Sequence, residues 1–304
     1  ITHIAAADIE RLARSIALSR RERGGPSFIR LNYGLQRHRG GGMAVRAITC
    51  LPAVTGEWRY TGGGAFLSTS KLYPFDNDAL QRPDLIPPGT RTVNMVQLAE
   101  ALHGELPGPR VQALYVYNSN PAAVCPDQSR VLSGLRREDL FTVVHDLFQT
   151  DTADYADIVL PATSQLEQFD IHGSYGHFYV QTNQPAIEPL HEAKCNTDVF
   201  RLLARGMNFE PELFDISDED LAREALGASP AGAFDGLTLE RLNEEGPIRL
   251  NLPIDYAPFA HGNFGTPSGK CELYSPKLAA QGLDPLPNYT PPAEDPQTRP
   301  ELAK

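Results

Sequence analysis

Two polar runs in the chain directly follow apolar ones. Asn118-Ser119-Asn120-Pro121 comes after Leu114-Tyr115-Val116-Tyr117, and His145-Asp146 comes after Val143-Val144, with Thr150-Asp151-Thr152 close behind. In an open parallel sheet, ligands bind beyond the carboxyl ends of the strands, so both runs stand where chemistry is expected. A carboxylate at such a place accepts two hydrogen bonds from a ligand edge with adjacent N–H donors, such as the N1–H and N2–H₂ edge of guanine. The Asn amides both donate and accept, which suits ribose hydroxyls or the guanine carbonyl. The same residue types have plainer uses: Asn and Asp form turns and Thr caps helices, so Asn118, Thr150 and Thr152 taken singly read as structural. Asp146 is harder to set aside, because an acid that ends a buried strand needs a partner.

Other groups carry weaker signals. Gly34, Gly40, Gly41 and Gly42 precede an apolar helix whose positive end suits an anion, and Arg37, His38 and Arg39 add charge beside them. A glycine-rich loop is equally a flexible turn. No GxGxxG follows a strand and no GxxxxGK[ST] occurs, which excludes the ordinary NAD and P-loop patterns. His172 and His177 flank Gly173-Ser174-Tyr175-Gly176 and read as loop histidines before metal ligands. Of the acid pairs Asp154/Asp157 and Glu167/Asp170, Asp157 opens the apolar run Ile158-Val159-Leu160 and is expected to fix a turn. The four cysteines form no CxxC pair, which disfavours a zinc ribbon or an iron–sulfur cluster built from this chain alone. No Ser/His/Asp or Cys/His set is identifiable by spacing, and no metal ligand is assigned.

The elements that would position these groups follow from periodicity. From Asn94 onward, helices and short apolar strands alternate: a helix over about 94–104, Val111–Tyr117, a helix over about 127–137, Phe141–Val144, a short helix over about 152–156 and Asp157–Leu160. Strands apolar almost throughout are buried on both faces, as in a parallel sheet, and the alternation predicts a doubly wound α/β fold with helices on both faces. Phe178–Gln181 and a helix over Asn196–Met207 extend it. Upstream, an amphipathic helix is expected over Ala5–Arg21, a strand over Ser27–Leu31, and a helix over Met43–Val54 that Gly56 stops. The stretch Leu72–Thr92 reads as irregular, Asp215–Leu226 as an acidic helix, Gly227–Gly236 as a connection, and Pro247–Leu252 and Lys270–Tyr274 as strands. The expected domains are therefore an α/β unit over 1–214, a helical connection over 215–246 and the incomplete start of a β-rich unit over 247–304, ending in the Pro-rich tail Leu286–Pro300.

The 304 residues, with a net charge of −11, do not suit a protein that coats nucleic acid, which needs clustered Lys and Arg. No apolar run reaches the roughly 18 residues that cross a bilayer. The chain opens on Ile1 and reads as a cut end, with any targeting segment lost before it.

The run Val144-His145-Asp146-Leu147-Phe148-Gln149-Thr150-Asp151-Thr152-Ala153, continuing through Ala156-Asp157-Ile158-Val159-Leu160-Pro161-Ala162-Thr163 to Glu167, resembles the signature of the molybdopterin oxidoreductases, the dimethyl-sulfoxide-reductase superfamily that includes formate dehydrogenases and nitrate reductases. Asn118-Ser119-Asn120-Pro121 matches that family's Asn/Asp-Pro turn. The segments Gly34–Gly40, Leu51–Gly56 and Gly62–Gly64 also match, and Phe264–Tyr274 is similar to the start of the family's C-terminal β-barrel domain. Members of the family are longer. Nothing here resembles their cysteine-rich iron–sulfur region or the segment whose Cys, selenocysteine or Ser ligates molybdenum.

The resemblance implies that this chain is a piece of a bis-molybdopterin guanine dinucleotide enzyme of molybdenum or tungsten, inactive alone, whose parent performs two-electron redox. It implies that Asp146 and Thr150 hold the guanine end of one cofactor, with Asn118, Asn120 and His145 in the same pocket. Gly34, Gln36 and Gly40 would approach the pterin and pyrophosphate, Arg37 and His38 would face substrate, and Asp198 is a further cofactor contact or else a helix cap. The implied partners are the rest of the catalytic subunit, which would carry any iron–sulfur cluster, electron-transfer subunits and a small-molecule substrate. A non-catalytic relative, like the large peripheral subunit of respiratory complex I, is the alternative. A scaffold of that kind has no use for a guanine pocket.

Overall fold

The computed structural model describes residues 4–227, 232–293, 295–296 and 299–302. By proximity the chain groups into two units, one made of Ile1–Lys71 with Leu252–Lys304 and the other of Leu72–Asn251. This grouping follows spatial contact, whereas boundaries at 214 and 247 follow composition.

In the first unit, strand β1 (Phe28–Arg30) pairs in parallel with β2 (Gly64–Phe66), and helix Gly41–Thr55 lies between them in sequence. That helix is apolar through its middle and stops at Gly56, which takes the left-handed conformation (φ 79°) that a side chain disfavours. Arg46 on it donates through Nη2 to the carbonyls of Leu273 (2.6 Å) and Pro285 (2.7 Å), fastening the later segment to the helix. Beyond residue 252 the described residues contain no strand. Lys270–Tyr274, expected as one, forms a loop: Thr266 Oγ1 donates to the Lys270 carbonyl (2.6 Å) and the Ser268 amide to Glu272 Oε1 (3.0 Å). Its alternating pattern finds no ladder partner, and side chains satisfy its backbone instead.

The second unit holds the chemistry-bearing runs. Strands β3 (Ala113–Tyr117), β4 (Phe141–Asp146) and β5 (Ile158–Pro161) are parallel and adjacent in that order, with Tyr117 opposite His145 and Asp146 opposite Pro161. Side chains alternate across the pleat. Leu114 packs against the cluster formed by Leu102, Val131 and Leu135 from helices Leu98–His103 and Gln128–Leu135. Tyr115 and Tyr117 point the other way, where Phe200 of helix Asn196–Gly206 lies 5.6 and 5.3 Å from their ring centres. Helices therefore cover both faces, as the sequence predicts. Each fully buried apolar side chain of this core, Val144 or Leu102 for example, contributes about 1.5–3 kcal/mol. A second sheet, β6 (Asp170–Gly173), β7 (Tyr179–Asn183) and β8 (Ile248–Arg249), is antiparallel. Its last strand is the core of the expected Pro247–Leu252, and it completes this unit. The expected connection over 227–236 falls in part on residues 228–231, outside those described, as do positions 294, 297 and 298 of the tail.

The adjacent glycines at the start of helix Gly41–Thr55 separate two effects. A Cβ at Gly41 would stand 2.4 Å from Gln36 Cα, whereas one at Gly42 would meet nothing within 4 Å. Gly42→Ala is expected to stabilise by up to about 1 kcal/mol through helix propensity. Gly41→Ala is expected to destabilise by about 1–3 kcal/mol, because a backbone clash outweighs the same gain. Urea unfolding of the two variants checks the opposite signs.

Candidate functional site

The neighbouring ends of β3 and β4 bring Asn118, Asn120, Asp146 and Thr150 to one end of one sheet. Asn118 stands directly after β3 in the left-handed region (φ 51°), which Asn tolerates better than most residues, and its amide donates to the His145 carbonyl at 3.2 Å. Its side chain is exposed. Asp146 is half-buried; its Oδ1 accepts from the Phe148 amide at 3.2 Å, a turn of the kind Asp readily makes. Its other oxygen has no hydrogen-bond partner and no cation is paired with it among the described residues. Thr150 Oγ1 accepts from the Ala153 amide at 3.4 Å, leaving its hydroxyl proton uncommitted.

Beneath these groups lies a hydrogen-bonded latch. Thr152 is fully buried, and its hydroxyl donates to Asn120 Oδ1 at 2.8 Å while accepting from the Ala122 amide at 3.0 Å. Asn120 Oδ1 also accepts from the Thr152 amide at 3.2 Å, and its Nδ2 donates to Asp151 at 2.9 Å. Thr152 thus caps the short helix Pro121–Val124 across space instead of its own turn. Asn120, expected to line the pocket, is committed to this latch.

His145 alternates with Asp146 across the pleat and is fully buried. Its Nε2 lies 3.1 Å from the Lys194 carbonyl, so that nitrogen carries the proton, while Nδ1 is buried without a partner. The same carbonyl accepts from the Thr163 amide at 3.2 Å. His145 therefore ties the end of β4 to the chain that enters helix Asn196–Gly206.

The remaining candidates lie apart from this group. Asp198 sits in the first turn of that helix, exposed, paired with Arg201 at 2.9 Å. Gly34, Gln36, Arg37, His38 and Gly40 belong to the other unit. There His38 Nδ1 accepts from the Gly40 amide (3.2 Å) and its carbonyl from the Gly41 amide (2.9 Å), while a Cβ at Gly40 would stand 2.6 Å from the Thr290 carbonyl. Those glycines permit close backbone packing, and two of the helix-end amides are engaged within their own loop. Asp157, expected to fix a turn, instead pins the start of β5 to β4: its Oδ2 accepts from the Thr142 amide at 2.7 Å and its own amide donates to the Thr142 carbonyl at 2.8 Å. His172 Nε2 meets Gln181 (2.9 Å) and His177 Nδ1 accepts from the Tyr179 amide (3.1 Å). A cavity of about 340 Å³ lined by Asp170, Cys195, Asn196 and Asp218 lies in this unit but does not reach Asp146.

Two predictions follow from the latch and the loop after it. Thr152→Val, which leaves Asn120 Oδ1 and the Ala122 amide short of a partner, is expected to destabilise by about 1–3 kcal/mol, and Thr152→Ser by less, in denaturant melts. Glu167 is held below the ordinary carboxylate range by the Ser164 amide, then the Ser164 hydroxyl and the Leu190 amide. Its contribution is complete above the ordinary glutamate value and is lost as pH falls through the depressed one. Stability followed against pH is expected to show a shallower acid decline in Glu167→Gln.

Residues 21–205 match the family described as molybdopterin oxidoreductase. The chain is 46% identical over 292 residues, 96% of its length, to the probable oxidoreductase YoaE of Bacillus subtilis, and covers 42% of that relative. It is 27% identical to the dimethyl sulfoxide reductase DmsA of Escherichia coli, covering 40% of it. The solved acetylene hydratase from Pelobacter acetylenicus superposes with a TM-score of 0.54 at 30% identity, over 70% of this chain and 28% of that one. The chain spans about two fifths of the length of the first two relatives, and it belongs to the molybdopterin oxidoreductase family, within the dimethyl-sulfoxide-reductase superfamily.

Proposed function

We propose that this chain supplies the guanine end of the cofactor site in a molybdenum or tungsten oxidoreductase, with Asp146 receiving the N1–H and N2–H₂ edge of one molybdopterin guanine dinucleotide. Family membership implies a molybdenum– or tungsten–pterin cofactor in the parent enzymes. The observation that carries the reading is the Asp146 carboxylate at the end of β4, half-buried, with one oxygen unpartnered and no cation paired to it among the described residues. Thr150, with an uncommitted hydroxyl proton, and Asn118, with an exposed amide, offer the further polar contacts that a base carbonyl and a ribose need. These residues fit the group.

Asn120 and His145 act on this site from beneath, by fixing the loops that present Asp146 and Thr150. Asp198 and the Gly34–Gly40 loop stand outside the proposal, since Arg201 and His38 engage their polar groups. When bound, the metal and pterin supply the two-electron chemistry; the residues of this chain bind and orient. The parent activity, its substrate, its electron-transfer partners and the inactivity of this chain by itself belong to the proposal as well. Among relatives, the name probable oxidoreductase at 46% identity supports redox over the hydration that names acetylene hydratase, at 35%.

Calorimetry on the 304-residue chain tests the pocket. GDP is expected to bind weakly through a component that depends on Asp146, and ADP to show no such component. Loss of charge-assisted hydrogen bonds of about 1.5–3 kcal/mol makes Asp146→Asn roughly 10- to 100-fold weaker for GDP. Equal affinity of the two proteins for GDP, or the same loss in Asp146→Asn with ADP as with GDP, refutes the assignment.

A further inference from the structure

The unit formed by residues 1–71 and 252–304 contains a cavity of about 890 Å³ that the proposed guanine pocket does not use. Its walls combine three aromatic rings with three basic side chains: Trp58, Phe259 and Phe264, and Arg59, His261 and Lys270. The rings are contiguous. Trp58 meets Phe259 edge-on at 5.2 Å, and Phe259 stacks on Phe264 at 4.2 Å with planes 5° apart. The indole is fixed without any ligand, because Nε1 donates to the Thr49 carbonyl at 3.2 Å and Gly64 packs so close that a Cβ there would stand 2.5 Å from the ring.

The basic side of the cavity is also built. The loop that carries Lys270 is closed by its own hydrogen bonds: the Phe264 amide to the Gly269 carbonyl (3.2 Å), the Gly269 amide to the Thr266 carbonyl (3.0 Å), and Thr266 Oγ1 to the Lys270 carbonyl (2.6 Å). Gly269 (φ 66°) and Gly262 (φ 86°) take conformations that side chains disfavour, which lets the loop turn tightly. Arg59, His261 and Lys270 are all exposed, and neither Asp nor Glu lines the cavity, in a chain whose net charge is −11. A concave patch of one sign with low-dielectric walls concentrates the opposite sign, and an aromatic platform adds a flat face against which a ring can lie.

We propose that this cavity binds a small anion that carries a planar ring. The ring packs against the Trp58, Phe259 and Phe264 side chains, and a phosphate or carboxylate group meets Arg59, His261 and Lys270. A bare anion lacks the stacking contact, and an uncharged ring lacks the electrostatic one. Asp146 is not among the residues that line the cavity and belongs to the other unit.

Trp58 is the one tryptophan of the 304-residue chain, so its emission reports on this cavity directly. Titration with AMP and with benzene-1,2-dicarboxylate is expected to give a saturable change with at least one of them, the better probe naming the acidic group. Adenosine and inorganic phosphate are each expected to need at least tenfold higher concentration. Arg59→Ala/Lys270→Ala is expected to raise the half-saturating concentration at least tenfold, Lys270→Gln to raise it less, and Asp146→Asn to leave it unchanged. Emission that stays flat with both probes, adenosine acting as strongly as AMP, unaltered half-saturation in both Lys270 variants, or a loss in Asp146→Asn overturns the proposal.

Discussion

One buried hydroxyl governs the geometry at the ends of β3 and β4. Thr152 Oγ1 donates to the Asn120 side chain that follows β3 and accepts from the Ala122 amide beyond it, while its own backbone belongs to the loop that follows β4. Two connections that leave adjacent strands are thereby held at a fixed spacing. The bonds are short and fully removed from water, where an unmade hydrogen bond costs the full desolvation of its group. The residues proposed to meet the ligand, Asn118, Asp146 and Thr150, take no part in this network, in which Thr152, Asn120 and Asp151 satisfy one another.

The dipeptide His145-Asp146 shows the same division in two residues. The pleat sends consecutive side chains to opposite faces. His145 turns inward and brackets the chain at Lys194, and Asp146 is left at the rim with a carboxylate that only a turn amide touches. A motif that spells both residues together therefore mixes an inward, positioning side chain with the one proposed to bind, and spacing alone does not separate them.

The legible parts of the fold were those in which local pattern and tertiary partner agree. Val111–Tyr117 and Phe141–Val144 read as buried parallel strands because their apolar runs are covered on both faces, and they form Ala113–Tyr117 and Phe141–Asp146; Gly56 read as a stop because it is one. Gly64–Phe66 was not legible, since a glycine run hides a strand that forms only through Phe28–Arg30. Asp170–Gly173 was equally hidden: Ile171 is its one large apolar residue, and Gly173 is there so that the Tyr73 ring can lie where a Cβ would come within 2.3 Å. Lys270–Tyr274 has the alternation of a strand but no neighbour to pair with. At the site, Asp157 read as a turn former and proved to hold Thr142 on the neighbouring strand, and Thr152 read as an ordinary cap and proved to cap another element from 30 residues away. Sequence distance carried no signal for that contact, nor for the aromatic platform joining Trp58 to Phe259.

The choice of a carboxylate at position 146 bears on which base the proposed pocket prefers. Ionised Asp only accepts, so it complements an edge that presents two adjacent donors, as guanine does, and leaves an adenine ring nitrogen facing a lone pair. An amide of the same shape presents one donor and one acceptor and mismatches the guanine edge at one of the two positions. Discrimination then rests on the cost of a buried group left unpaired, which reaches about 10⁴–10⁵ in sites built around hydrogen bonds and far less in apolar ones. The Phe148 amide at 3.2 Å does not exhaust Oδ1, because each carboxylate oxygen has two lone-pair directions. The turn that orients Asp146 therefore leaves both oxygens able to accept from a base.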